Sequence, residues 1–198
     1  MRRRRRWSQS TANSLTWRTA GNTDLDSINA IADATHVDLP ERPEVFAEKL
    51  RLFPQGCFVL AENGTAVGYA VSHPWYVNKI PPLDAFLSEL PPSPDCLFIH
   101  DVAVAPKSRK QGAAGKLIEI LSDLARRQGI SALALVSVYD THPLWARHGF
   151  QICSSPELSE KLKSYGTTAK YMSVRCVSSP CENNGGGPRK AAIAHRPE

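Results

Sequence analysis

The chain has 198 residues, enough for one domain with a substantial core, and its 42% hydrophobic content is ordinary for a soluble globular protein. No apolar run approaches the roughly 18 residues needed to span a membrane, and the basic N-terminus lacks the apolar segment of a secretory signal, so a cytoplasmic protein with no membrane partner is expected. The net charge of +5 belongs to the tails: residues 15–175 hold 16 Lys or Arg against 17 Asp or Glu, and the remainder 8 against 2.

Three regions follow: a basic N-terminal extension at 1–14, a folded domain at 15–176, and a Gly-, Asn- and Pro-rich tail at 177–198. The tails are expected to be disordered. Residues 2–6 are all arginine. They read either as such an extension or as an arm for an acidic surface; the first reading is preferred, and nucleic acid is not expected as a partner. The five cysteines, Cys57, Cys96, Cys153, Cys176 and Cys181, are scattered without zinc spacing. No metal is expected, and the thiols read as idle in a reducing compartment.

In chain order, residues 15–18 read as a strand. Thr23 can cap a helix whose apolar face is Leu25, Ile28, Ile31 and Ala32. Pro43 suits the first turn of a second helix, carrying Val45, Phe46, Leu50 and Phe53. Strands at 57–61 and 66–72 flank a hairpin turn of Glu62, Asn63, Gly64 and Thr65. The stretch 73–95 holds six prolines and begins near Trp75 and Tyr76. It reads as a lid or as a solvated insertion, with a short helical piece at 84–90. A strand at 97–104 follows, then a helix at 113–127 with Leu117, Ile118, Leu121 and Leu124 on one face. The apolar run 132–138 reads as a strand buried on both faces. A short helix at 143–148 and strands at 150–153 and 170–176 complete the domain. The order β-α-α-β-β-β-α-β-α-β-β predicts an α/β fold: a single domain with a mixed central β-sheet and helices on both faces.

The segment FIHDVAVAPKSRKQGAAGKL, residues 98–117, carries the strongest functional signal. A strand runs into Pro106, then into a basic, small-residue turn without acidic residues, then into a helix. Free amides at a helix N-terminus, together with its dipole, favour an anion, and Gly112 and Ala114 let a phosphate approach the backbone.

Arg109-Lys110-Gln111-Gly112-Ala113-Ala114, preceded by Val102-Ala103-Val104-x-Pro106, resembles the signature turn of the GNAT superfamily of acetyl-coenzyme A-dependent N-acetyltransferases. Trp145-Ala146-Arg147-His148-Gly149-Phe150 is similar to the family's Tyr-x-x-x-Gly-Phe element. His100-Asp101-Val102-Ala103-Val104 looks like the arylalkylamine branch, whose paired histidines fall here at His100 and Phe98. The resemblance implies acetyl-CoA as cosubstrate. It assigns the pyrophosphate to Lys110, Gln111, Gly112, Ala113, Ala114 and Gly115, with charge added by Arg109. It assigns the pantetheine arm to main-chain groups of Val102, Ala103 and Val104.

Acetyl transfer to an ammonium needs a base, because an alkylammonium titrates near 10.4. His100 is the candidate base, against a reading as a core histidine. Asp101 is expected to alternate to the other face of the strand. The family's usual acid, a tyrosine, falls at Trp145, which is expected to pack on the cofactor or in the core. Tyr139 and Tyr165 are the substitute acids. The expected function is acetyl transfer to the primary amine of a small molecule, by a monomer or homodimer. The alternatives are acetylation of a protein N-terminus or lysine, and a coenzyme A-binding module that has lost catalysis.

Overall fold

A computed structural model describes residues 15–176. The expectations for the arginine run, the C-terminal tail and Cys181 lie outside the described residues.

Among the described residues, seven strands form one sheet in the order β1-β2-β3-β4-β5-β7-β6. They are β1 (Leu15–Thr19), β2 (Cys57–Glu62), β3 (Thr65–Trp75), β4 (Cys96–Val104), β5 (Ala132–Ser137), β6 (Gln151–Ile152) and β7 (Lys170–Arg175). Only β4 and β5 run parallel; every other pair is antiparallel. The helices are α1 (Leu25–Thr35), α2 (Pro43–Leu52), α3 (Ala113–Arg127), α4 (His142–Ala146) and α5 (Pro156–Leu162). The α/β architecture with a mixed sheet is the one predicted.

Helix α3 covers one face. Leu117, Ile118, Leu121, Leu124 and Ala125 recur at helical spacing and pack on Leu97, Ile99, Leu133 and Leu135. Gly129, at φ 69°, supplies the left-handed step that ends α3, and Ile130 N returns to Ala125 O at 2.9 Å. Helices α1 and α2 cover the opposite face, packing Ile28, Ala32, Phe46 and Leu50 on Val59, Tyr69, Val71 and Ala103. Beside them, Leu158 of α5 and Ile80 of the insertion cover Cys96, Phe98, Ala134 and Tyr171.

Three local expectations need correcting. Thr23 does not cap α1: a single 3-10 turn precedes the helix, and the Asp24 carboxylate accepts from Gly21 N at 2.9 Å. Helix α5 is an additional element between the last two strands. Its signal was in the sequence as Ser155-Pro156: Ser155 Oγ accepts from Leu158 N at 3.2 Å, and Pro156 takes the first helical position. Residues 84–90 form no helix. Their amides go elsewhere, with Asp84 N bonded to Glu41 and the Leu87 and Ser88 amides bonded to Glu48. Asp84 and Ser88 also take positive φ, 48° and 64°, which no helix accommodates.

The cysteines Cys57, Cys96, Cys153 and Cys176 are free thiols. Burial pushes Cys57 and Cys96 up to about 12, so neither forms a nucleophilic thiolate near neutral pH.

Candidate active site

The site is set by a break in β4. Its parallel pairing with β5 ends at Ile99↔Leu135, and the two strands then part. On the β5 side, the main chain of Val102, Ala103 and Val104 therefore lies beyond the paired register. At the same point the ladder between β3 and β4 slips: Val71 faces Asp101, but Ser72 faces Ile99, which leaves His100 as the extra residue of a bulge. A bulge shifts the alternation by one, so His100 and Asp101 both reach the α1–α2 side. This corrects the expectation that Asp101 faces away.

Each of the two finds a partner in the loop between α1 and α2. His100 Nε2 lies 3.0 and 2.9 Å from the two carboxylate oxygens of Glu41. Both side chains are almost fully buried, at 3% and 5% exposure. Asp101 Oδ1 forms an ion pair with His36 Nε2 at 2.9 Å. Tyr69 Oη donates to Asp101 Oδ2 at 2.5 Å.

Burial alone would raise the Glu41 carboxyl. The hydrogen bond and charge of His100, with Lys49 and the Asp84 amide, outweigh it and hold Glu41 down to about 2. Glu41 is therefore ionised and accepts the Nε2 proton of His100; in the neutral imidazole the other nitrogen, Nδ1, is then the bare one. That atom is buried and has no hydrogen-bond partner. Burial lowers His36, but the hydrogen bond and charge of Asp101 outweigh it, so His36 stands above the ordinary histidine value. Burial pushes Tyr69 up, and Asp101 pushes it further.

His73, on β3 opposite Phe98, brings a second imidazole to within 5.5 Å of His100 between ring centroids. Its Nδ1 faces Pro74 O at 3.0 Å, so Nδ1 carries the proton and Nε2 is bare. Burial, with His100 beside it, pushes His73 down to about 3, so it is neutral near pH 7. A second imidazole thus stands beside His100 from the neighbouring strand, opposite Phe98.

The turn after β4 has the form of an anion cradle. Lys110 and Gly112 take positive φ, 63° and 79°. Gly112 is the N-cap of α3 and supplies no side-chain cap, which leaves the amides of Ala113, Ala114 and Gly115 at an open first turn. A Cβ placed on Gly112 would meet nothing within 4 Å, so the space above it is open. Arg109 is turned back: its Nε donates to Val104 O at 2.7 Å and braces the turn against the strand. Trp17 Nε1 donates to Ala113 O at 2.9 Å and fixes the start of α3 from below.

The remaining expected residues divide. Trp145 is buried in the α3 core with its ring centroid 5.9 Å from that of Phe150. Tyr165 Oη donates to Pro81 O at 3.0 Å, and burial raises its pKa. Tyr139, half-exposed just beyond β5, stacks on His36 with centroids 5.8 Å apart; burial raises it as well, with Asp38 and Asp101 adding to the effect. Trp75 packs edge-on against His73, and Tyr76 Oη donates to Pro92 O at 2.7 Å. Sequence reasoning did not single out Glu41, His36, His73 or Lys49. Glu41 is 59 positions from His100, and no local motif joins them. Among the described residues, no group of His, Cys, Asp and Glu could hold a metal ion, and no helix is long and apolar enough to cross a membrane.

A mixed sheet whose central parallel strands part beside a glycine turn is an α/β architecture with a cleft at the carboxyl end of its central strand. The family model of the acetyltransferase (GNAT) family matches residues 25–150, and the chain belongs to that family. Comparison with curated proteins finds no match. Among solved structures, Ard1 from Thermoplasma volcanium superposes with a TM-score of 0.63 at 20% identity, over 83% of this chain and 99% of that one. The ribosomal-protein-S18-alanine N-acetyltransferase from Escherichia coli gives 0.58 at 22% identity, over 86% and 98%. N-acetylglutamate synthase from Neisseria gonorrhoeae, complexed with coenzyme A and N-acetyl-glutamate, gives 0.63 at 22% identity, over 84% of this chain but 36% of that one. At such identities the likeness is one of fold.

Proposed function

We propose that the protein is an acetyl-coenzyme A-dependent N-acetyltransferase acting on the primary amine of a small molecule, by direct attack in a ternary complex, with His100 as general base. The observation that carries this reading is the bulge at His100. It places an imidazole oriented by a buried carboxylate where β4 and β5 separate, one turn upstream of the anion cradle. On this reading the pyrophosphate of coenzyme A takes the amides of residues 110–115, with the charge of Lys110, and the pantetheine arm takes the β5-side edge of residues 102–104, where Val104 O already accepts from Arg109 Nε.

The acceptor ammonium gives a proton to His100 Nδ1, directly or through water. The free amine attacks the thioester carbon, the carbonyl oxygen becomes anionic, and collapse breaks the C–S bond and expels the thiolate. The attacking nitrogen gives its second proton to solvent as the C–S bond breaks, the thiolate takes one from Tyr139 or from solvent, and a Tyr139 phenolate recovers its proton from the His100 imidazolium through solvent. Backbone amides at the bulge are suited to the oxyanion. Tyr165, whose hydroxyl is committed to Pro81, is the weaker acid.

The insertion between β3 and β4 lies against α2 and supports a small acceptor over a peptide. A thiol-release screen over arylalkyl amines, aliphatic amines and peptides with free N-termini tests the reading. Turnover of small amines supports it, and release with peptides alone replaces it with the protein-acetylation reading. Acetyl-CoA binding without release on any acceptor leaves only a coenzyme A-binding module.

A further inference from the structure

The insertion, residues 76–95, does not only cover α2. Its segment 84–88 is stitched to the start and the length of that helix by side chains. Arg42 N and Nε donate to the Asp84 carboxylate at 2.8 and 2.9 Å, and Arg42 Nη2 donates to Asp84 O at 2.9 Å. Glu48 accepts from Leu87 N at 2.7 Å and Ser88 N at 2.9 Å. The fully buried Lys49 reaches Ala85 O at 3.3 Å.

One bond in this set points inward. Asp84 N donates to Glu41 Oε1 at 2.8 Å, and the same oxygen lies 3.0 Å from His100 Nε2. Glu41 is thus shared between the insertion and the histidine. A glutamate side chain held by one partner keeps much of its rotamer freedom; held at one oxygen from two directions, it has a single position. The Arg42–Asp84 latch is outside, at 54% and 36% exposure, while the dyad it reaches is inside.

We propose that Arg42 and Asp84 are positioning residues: by seating the insertion they hold Glu41 in the one rotamer that fixes the Nε2–H tautomer of His100. The inference rests on the reading of His100 as the base, but the tautomer itself is independent of turnover. The charged and titratable groups that face the dyad are His36 of the α1–α2 loop, Lys49 of α2, Tyr69 and His73 of β3, Asp101 of β4, Asp84 of the insertion and Tyr165 beyond α5.

Two variants break the latch without touching Glu41 or His100. Arg42→Met removes the guanidinium. Asp84→Gly removes the carboxylate and keeps the positive φ of 48° accessible. The measurement is the long-range 15N–1H spectrum of the imidazoles, with His100 assigned by its loss in His100→Gln. The wild-type chain should show one Nε2–H tautomer, and both variants a mixture of tautomers. With an amine that is turned over, kcat should fall about tenfold, a fraction of what a general base contributes, at unchanged KM for acetyl-CoA. Asp84→Asn, which keeps an acceptor for Arg42, should retain the wild-type tautomer. A single Nε2–H tautomer in both latch-broken variants overturns the proposal whatever the activity. Tautomer mixing in a chain that acetylates no amine upholds the coupling and removes the catalytic reading instead.

Discussion

His100 and Asp101 are consecutive in β4, yet both reach the loop between α1 and α2, where each meets a residue of complementary kind. The strand offers a histidine and then an aspartate; the loop answers with Glu41 and His36. In a regular strand the two side chains would stand on opposite faces. The bulge brings them to one face and ties the loop to the strand twice.

Replacing His100 tests the first tie. His100→Ala removes the base and strands an ionised Glu41 in the interior, so activity and stability fall together. His100→Gln keeps a donor for Glu41 and separates the two effects. The expected result is a loss of about 100-fold or more in kcat for His100→Gln, with acetyl-CoA binding retained. An unchanged kcat would return His100 to a core role.

The ties titrate in opposite directions. Glu41 is held near 2, below its unfolded value of 4.5, so its contribution is present above pH 4.5 and disappears as the pH falls toward 2. His36 stands above its unfolded value of 6.5, so its contribution is full below that value and disappears as the pH rises through the folded one. Denaturant unfolding across pH should therefore give a stability plateau with an acid and an alkaline shoulder. Glu41→Gln should remove part of the first, and His36→Asn the second. A His36→Asn variant that keeps the alkaline shoulder would contradict the assignment.

At the cradle, Gly112→Ala separates fold from ligand. The added methyl meets no protein atom within 4 Å, so the fold bears only the left-handed backbone, roughly 1 kcal/mol. The methyl does enter the space assigned to the pyrophosphate. The KM for acetyl-CoA should rise about tenfold, the equivalent of 1.4 kcal/mol, with a small change in Tm. Equal KM values in the two proteins would move the cofactor away from this turn.

The contrast between these sites shows what the sequence made legible. The cradle is local: strand, turn glycine and helix start are consecutive, and the apolar spacing of Leu117, Leu121 and Leu124 marks the helix they open. The dyads are not local. Glu41 and His36 reach His100 and Asp101 only because α1 and α2 cross the sheet, and the bulge that aims them is a property of register. Phe98 showed a histidine missing from its strand, but only the β3–β4 pairing shows His73 opposite it. The insertion misled for a related reason: 84–90 read as helical from its local sequence, but its amides are satisfied by Glu41 and Glu48, both remote in sequence.

On the proposed mechanism two tyrosines are candidate proton donors to the thiolate, and their surroundings rank them. Tyr165 gives its hydroxyl proton to Pro81 O and ties the insertion to the turn after α5. Tyr165→Phe should cost about 1 kcal/mol of stability and leave kcat nearly unchanged. Tyr139 is half-exposed and stacked on His36 at the end of β5, and its hydroxyl accepts from the Asp38 backbone, which leaves its proton uncommitted. Tyr139→Phe keeps the stacking ring and removes the proton, so its Tm should match the wild type while kcat falls about tenfold or more. Solvent isotope effects on kcat distinguish the donors: an effect lost in Tyr139→Phe assigns the proton to that hydroxyl. An unchanged rate and isotope effect would mean that the thiolate leaves unprotonated and collects its proton from water.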